Sequence, residues 1–308
     1  EFSHLPRKRI LIAGSSGLIG TQLVAFLDTG GHDVWRLVRR EIKDGEKEIR
    51  WDPANGHIDS STIEGFDIVI HLGGAGIGDK RWSKKRKALI VDSRRTSTTL
   101  LAETLGKLQD KPDVFIVASA IGFYGDRGDE ILNEDSPQGE GFLTETVVAW
   151  ESYAQSAREA GIRVVNIRNG IVLSATGGAL QRMLLPWKMG GGGPIGNGKQ
   201  WMSWISMDDE IYAIHHLAMS ENSEGVYNLT APNPARQKAF AKTLGRVLWR
   251  PAFAPIPKIS MRILFGELAA PLLFEGQHVL PMRLEEIGYR FEHEELESAL
   301  RDCLGLWK

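Results

Sequence analysis

Short apolar runs recur along the chain, each closing on small residues and giving way to a stretch of helical periodicity. Arg9-Ile10-Leu11-Ile12-Ala13 runs into Gly14-Ser15-Ser16-Gly17-Leu18-Ile19-Gly20, after which apolar positions return at helical spacing over residues 21–27. Residues 33–40, 48–53, 66–72, 112–120, 163–170 and 226–230 repeat the strand pattern. Helices are expected over 80–103 and 142–160, and over a segment ending at Met219 that Asp208 and Asp209 are expected to cap. Buried strands alternating with helices in this order predict an α/β fold, a doubly wound parallel sheet with right-handed crossovers. The sheet domain is expected to occupy 6–175 and to be completed by 206–230. Residues 176–205 and 231–308 read as a smaller C-terminal substrate lobe over the sheet's carboxyl edge.

The first turn carries candidate chemistry. Strand, glycine turn and helix arrive in the order of a dinucleotide-binding fingerprint, here spaced G-x-x-G-x-x-G. Gly14 would permit the tight turn, Gly17 would let backbone approach a pyrophosphate, and Gly20 would let the helix pack on the strand. The N–H groups that open the helix, with Ser15, Ser16, Leu18 and Ile19 around them, would receive the phosphates. The second strand ends in Arg39-Arg40. An acidic residue at that place suits the ribose hydroxyl of NAD, whereas arginine suits the 2′-phosphate of NADP, so NADP(H) is the expected cofactor, with Arg39 the first choice and Arg40 beside it. Leu72-Gly73-Gly74 closes another strand and would pass under the cofactor's ribose and phosphates.

Composition narrows the function classes. The 308 residues are 42% hydrophobic and 25% charged, with 37 Lys and Arg against 39 acidic residues, which leaves no global field for nucleic acid. No apolar run reaches the ~20 residues of a membrane span. The run Lys80-Arg81-Trp82-Ser83-Lys84-Lys85-Arg86-Lys87 reads as a solvated helix start. Cys303 is the single cysteine, so no internal disulfide forms and the reducing cytoplasm is the expected compartment. The chain opens Glu1-Phe2-Ser3-His4 without Met, a start expected either of an added non-native remnant or of a piece excised from something longer, which leaves an upstream domain open. Glycine-rich stretches after Thr176 interleave with Leu184, Leu185, Trp187, Trp201 and Trp204, a functional loop whose large side chains ask for burial. His215 and His216 point about 100° apart on a helix, and no other ligand spacing is present, so no metal is expected.

Gly14, Gly17 and Gly20, the strand 67–72 ending in Gly73-Gly74, and Ser119-Ala120-Ile121-Gly122-Phe123-Tyr124-Gly125 resemble the extended short-chain dehydrogenase/reductases. Further pieces resemble one atypical subgroup, often labelled nucleoside-diphosphate-sugar epimerases or cell-division inhibitors. They are Asp79-Lys80-Arg81-Trp82, Asp92-Ser93-Arg94, Ala149-Trp150-Glu151, Gly192-Gly193-Pro194-Ile195-Gly196, Trp204-Ile205 with Asp208-Asp209, and Gly276-Gln277 with Val279-Leu280-Pro281. The resemblance implies a Rossmann domain that binds NADP, with Ser93 among its cofactor residues, and a characteristic C-terminal region from about Pro255. Longer bacterial members carry a lipid-binding-like domain ahead of it.

Typical family enzymes use a Tyr-x-x-x-Lys pair and a nearby Ser or Thr. Aligned on Glu151, the pair falls on Leu143 and Val147; aligned on Tyr124-Gly125, the hydroxyl falls on Ala120, with Ser119 one residue early. Tyr124 and Ser119 are therefore the candidate catalytic residues, Arg168 a candidate anchor for an anionic substrate, and Gln200 and Trp201 candidate substrate contacts. Two readings remain open. One is an NADP-dependent oxidoreductase or sugar-nucleotide-epimerase-like enzyme acting on an unidentified small molecule. The other is a catalytically silent NADP-binding sensor or partner-docking module. A homodimer is open to either.

Overall fold

Continuous apolar runs can be buried on both faces, and here they build the centre of one sheet. The computed structural model describes residues 6–307; the start at Glu1-Phe2-Ser3-His4, on which the expectation of an upstream domain rests, lies outside them. The strands are β1 (Arg9–Ala13), β2 (Asp33–Val38), β3 (Glu48–Asp52), β4 (His57–Ile58), β5 (Ile68–His71), β6 (Val114–Ala120), β7 (Ile131–Leu132) and β8 (Arg163–Asn169). After them come β9 (Ile171–Leu173), β10 (Trp201–Met202), β11 (Trp204–Ser206), β12 (Gly225–Leu229), β13 (Ala235–Arg236) and β14 (His278–Val279). Eight of these form the main sheet in the order β12-β8-β6-β5-β1-β2-β3-β4, parallel except for β4 at the edge. This is the doubly wound Rossmann-like arrangement expected from the alternation.

The order has one reversal. From β1 the chain moves outward through β2 and β3, then returns to place β5 on the other side of β1. Register pairs Ala13 with both Leu37 and His71, so the carboxyl ends of β2, β1 and β5 lie level around that switch point. Open sheets of this kind bind ligands in the crevice formed there.

The helices are α1 (Leu18–Thr29), α2 (Lys84–Lys107), α3 (Phe142–Ser152), α4 (Gln155–Glu159), α5 (Gly178–Lys188), α6 (Met207–Met219), α7 (Gln237–Val247), α8 (Lys258–Phe265), α9 (Met282–Glu286) and α10 (Leu296–Cys303). Several bounds differ from the sequence expectation. α2 starts at Lys84, not Lys80, because the Ser83 hydroxyl caps it by accepting the Arg86 N–H at 3.1 Å. The helix expected over 142–160 is two, divided where Tyr153 N–H bonds back to Trp150 O in a tighter turn. The glycine-rich stretch contains α5. A second hydrophobic core gathers Trp187, Met202, Trp204, Phe240 and Leu300, whereas Leu185, expected inside, is 67% exposed.

The acids that open α6 are not its caps. Ser206 is the N-cap, its hydroxyl accepting from Asp209 N–H at 3.0 Å. The fully buried Asp209 carboxylate accepts from Ser206 Oγ (2.7 Å), Tyr289 OH (3.0 Å), Glu292 N (2.8 Å) and His293 N (3.0 Å). It thereby fastens the chain at 289–293 to the helix that flanks the sheet. Each buried donor left without a partner costs about 1–3 kcal/mol, so Asp209→Ala is expected to lower unfolding free energy by roughly 3 kcal/mol or more. Urea unfolding measures this, and a loss under about 1 kcal/mol would contradict the fastening role.

Candidate functional site

The site is built from backbone before side chains enter it. Gly14 has φ +85°, and a Cβ there would lie 2.7 Å from Gly73 N. A Cβ on Gly20 would lie 2.2 Å from Gly14 O. Both positions are set by contact between main chains. Gly17 differs: its φ is −77°, and an added Cβ would meet only Gly14 O, at 3.2 Å. Gly17 is also the N-cap of α1, without a side-chain cap and with no acidic residue in the first turn. The opening N–H groups of a helix have no intrahelical partner and carry partial positive charge, so Leu18, Ile19 and Gly20, approached past Ser15 and the exposed Ser16, form a cradle suited to an anion.

The two arginines after β2 separate in the structure. Arg40 is engaged by the buried Glu48, with Nη1–Oε2 at 2.8 Å and Nη2–Oε1 at 2.5 Å. Arg39 is exposed and makes no ion pair or side-chain hydrogen bond among the described residues. Of the pair, Arg39 is the one without a protein partner among the described residues.

Beyond Leu72 the loop is braced from beneath. His71 is fully buried, its Nε2 2.9 Å from Ser97 Oγ and its Nδ1 accepting from Gly73 N–H at 3.3 Å. Burial, with Arg94 nearby, pushes its pKa down to about 4, so the ring stays neutral and Nδ1 remains an acceptor. Ser93 Oγ accepts from Ala75 N–H at 3.0 Å, and the Arg94 guanidinium, against which Gly74 packs, donates to Ala75 O at 3.0 Å. Ser93 thus holds the loop's main chain in place.

Beside this edge lies a cavity of about 180 Å³ whose walls include Ala120, Leu143, Val147, Gln200, Trp201 and Glu275. The first three are the positions where the resemblance implies a hydroxyl, a tyrosine and a lysine; β6 and α3 bring them to one apolar wall. Gln200 and Trp201 line the cavity as well, Trp201 stacked on His278 with centroids 3.8 Å apart. Glu275, Gln237 and Gln277 also line it and were not singled out as site residues from sequence. The signal available was the quoted Gly276-Gln277 piece: a Cβ on Gly276 would lie 2.4 Å from Trp201 O, so the segment is clamped to the wall.

Ser119, Tyr124 and Arg168 are brought together, but in a buried network apart from the cavity lining. Ser119 Oγ donates to Glu151 Oε1 at 2.7 Å, and Arg168 holds the same carboxylate through two bonds of 2.8 and 2.9 Å. Arg168 also donates to Tyr124 OH at 3.0 Å, and that hydroxyl donates to Asn228 Oδ1 at 2.8 Å. Tyr124 has no exposed surface, and burial pushes its pKa up. Arg168 is neutralised by Glu151 and lies over the Phe123 ring at 3.3 Å, so its charge is already satisfied. Elsewhere, Asp208, His293 and Asp302 place ligand-type atoms within 4.8 Å of one another, a cluster that chain spacing did not show. Burial and a shared hydrogen bond with Asp302 raise the Asp208 pKa.

Residues 10–230 match the model of the NAD dependent epimerase/dehydratase family, and residues 256–303 that of a domain of unknown function, DUF1731. The epimerase family protein MT2273 of Mycobacterium tuberculosis is 38% identical over 94% of this chain and 96% of its own length. The human epimerase family protein SDR39U1 is 35% identical over 96% and 99%. Its crystal structure (isoform 2, with NADPH) superposes with a TM-score of 0.87 at 33% identity, covering 96% of this chain and 99% of that one. A Corynebacterium glutamicum structure described as a nucleoside-diphosphate sugar epimerase has a TM-score of 0.81 at 34% identity, covering 97% of this chain and 59% of that one. No helix among the described residues is long and apolar enough to cross a membrane.

The buried network makes a prediction of its own. Tyr124→Phe strands the Asn228 side-chain oxygen and one Arg168 N–H, and such losses cost about 1–3 kcal/mol. Guanidinium unfolding is expected to show that decrease, and an unchanged midpoint and slope would argue against the network.

Proposed function

Because the chain belongs to the NAD dependent epimerase/dehydratase family, we propose that it binds NADPH across the switch point and acts as an NADPH-dependent oxidoreductase on a small molecule held in the adjoining cavity. The observation that carries this is the conjunction of an uncapped, acid-free α1 N-terminus at Gly17 with an unpaired Arg39 at the end of the neighbouring strand. The N–H groups of Leu18, Ile19 and Gly20 would hold the pyrophosphate, Arg39 the 2′-phosphate, and the loop Leu72-Gly73-Gly74, braced by His71 and Ser93, the ribose side. When bound, the nicotinamide supplies hydride chemistry. Ala120, Leu143 and Val147 form an apolar wall beside that place, excluding water but offering neither proton nor charge. The usual Tyr-x-x-x-Lys pair is absent on this reading, and Ser119, Arg168 and Tyr124 position β6, β8 and α3 against one another. The apolar Leu143 and Val147 also favour a second reading, a silent NADPH-binding module.

A charge-assisted contact is worth roughly 1.5–3 kcal/mol, so wild-type protein is expected to prefer NADPH over NADH by about ten- to a hundredfold. Titration of both nucleotides against wild type and Arg39→Ala checks it, and equal wild-type affinities would defeat the proposal. Gly17→Val is expected to keep its circular dichroism and lose nucleotide binding, since a side chain there occupies the pyrophosphate's approach. General acid–base help typically contributes about 10²–10⁴-fold, and without the Tyr and Lys no appreciable epimerisation of UDP-glucose is expected by coupled assay. Robust epimerisation would sink that part of the reading.

A further inference from the structure

Among the described residues that line the cavity, Glu275 is the sole ionisable one, and no Lys, Arg or His is present. A nucleoside diphosphate would bring two phosphate charges to a wall without a cation. Two neighbouring cations are engaged: Arg236 lies over Trp201 at 3.9 Å but pairs with Asp129 at 2.7 Å, and Arg182 pairs with Asp79 at 3.4 Å. Lys258 and Arg262 lie over the Phe274 ring and are not among the lining residues. The volume, about 180 Å³, is close to the ~150 Å³ of an apolar cavity that admits benzene. Several polar atoms on the wall are already bonded. Gln200 Nε2 donates to Leu273 O at 2.7 Å, and Gln237 Oε1 accepts from Ile195 N–H at 2.9 Å. Ser203 Oγ donates to Gln277 O at 2.7 Å and accepts from Val279 N–H at 2.9 Å. The side chains of Glu275 and Gln277 make no hydrogen bond among the described residues. They flank Gly276, which the Trp201 backbone clamps in place.

We propose that this cavity binds a small, uncharged, mainly apolar carbonyl compound, and that Glu275 as the carboxylic acid, with the Gln277 carboxamide beside it, donates the hydrogen bonds that hold its oxygen. This rests on the NADPH reading above for its chemistry but not for its binding. In the reduction, the carbonyl carbon accepts a hydride from the reduced nicotinamide dinucleotide and the carbonyl oxygen takes the Glu275 proton. The products are the alcohol, the oxidised dinucleotide and the Glu275 carboxylate, which regains a proton from water.

Charge around the acid supports this. Burial, and then Asp126, raise the Glu275 pKa. The other charged or titratable groups packed near its segment are the Arg236–Asp129 pair and His278 around Trp201, and Lys258 and Arg262 against Phe274. The acid form is fully present below the raised pKa and is lost as pH climbs through it, so ligand affinity follows the same course.

Acetophenone and UDP-glucose are suitable probes for the full chain by isothermal titration, with and without saturating NADPH. NADPH binding, measured first, tests the earlier reading separately, and the acetophenone titration without NADPH tests the cavity whatever the first result. Acetophenone is expected to bind, to weaken as pH rises through the Glu275 pKa, and to be unaffected by UDP-glucose. One lost hydrogen bond corresponds to roughly three- to tenfold weaker binding in Glu275→Ala and in Gln277→Ala. Glu275→Gln, which keeps a donor without an ionisable proton, is expected to bind acetophenone with no pH dependence and to lose NADPH oxidation by it. The proposal is overturned if UDP-glucose displaces acetophenone, if acetophenone fails to bind, or if Glu275→Ala binds it as wild type does.

Discussion

The contact on which the site depends is between main chains. The turn after β1 lies so close to the loop after β5 that a single methyl on Gly14 would overlap Gly73 N, and one on Gly20 would overlap Gly14 O. That approach occurs where the sheet's winding reverses, with the paired residues Ile10–Ala13 and Ile68–His71 buried beneath it. Two rigid strands deliver two backbone loops to one place, and buried polar side chains then fix their tilt, neutral His71 on Gly73 and Arg94 on Ala75. The side chains support a geometry that glycine makes possible.

At the edge of β6 a difference of one residue divides two chemistries. Successive strand residues face opposite ways, so Ala120 reaches the cavity while Ser119 turns to Glu151. On Ser119's side, the ion pair of Glu151 and Arg168 extends through Tyr124 to Asn228 on β12, linking α3, β8 and the sheet's last strand. On the cavity side, the wall is methyl and methylene. Parity turns the Ser119 hydroxyl away from the cavity, and Tyr124 joins the same buried network from the turn that follows the strand.

What was legible in sequence was what the chain decides locally. Strand and helix alternation gave the sheet, and the spacing of Gly14, Gly17 and Gly20 gave the turn, because each depends on neighbours within about one element of chain. The parity argument located Ser119 correctly relative to Ala120, though its partner Glu151 lies thirty-two positions on. Arg40 was less accessible, since its capture by Glu48 depends on β2 and β3 pairing first. Asp208 and Asp209 looked like caps because acids before a helix usually are; Ser206 took that place, and the donors that claim Asp209 come from around eighty residues away. Glu275 belongs to the same class, an unremarkable acid until a distant tryptophan backbone clamps the glycine beside it.

Asp209 also sets an order on the making of the molecule. During synthesis the chain leaves the ribosome from its N-terminus, and every strand of the main sheet has emerged well before Tyr289, Glu292 and His293. Until those residues arrive, burying α6 against the sheet would enclose a carboxylate lacking three of its donors, at a desolvation cost the nascent sheet must oppose alone. Residues 289–293 therefore act as a latch that closes after the sheet, and a ribosome stalled short of them would hold a complete main sheet whose flanking helix has not yet locked.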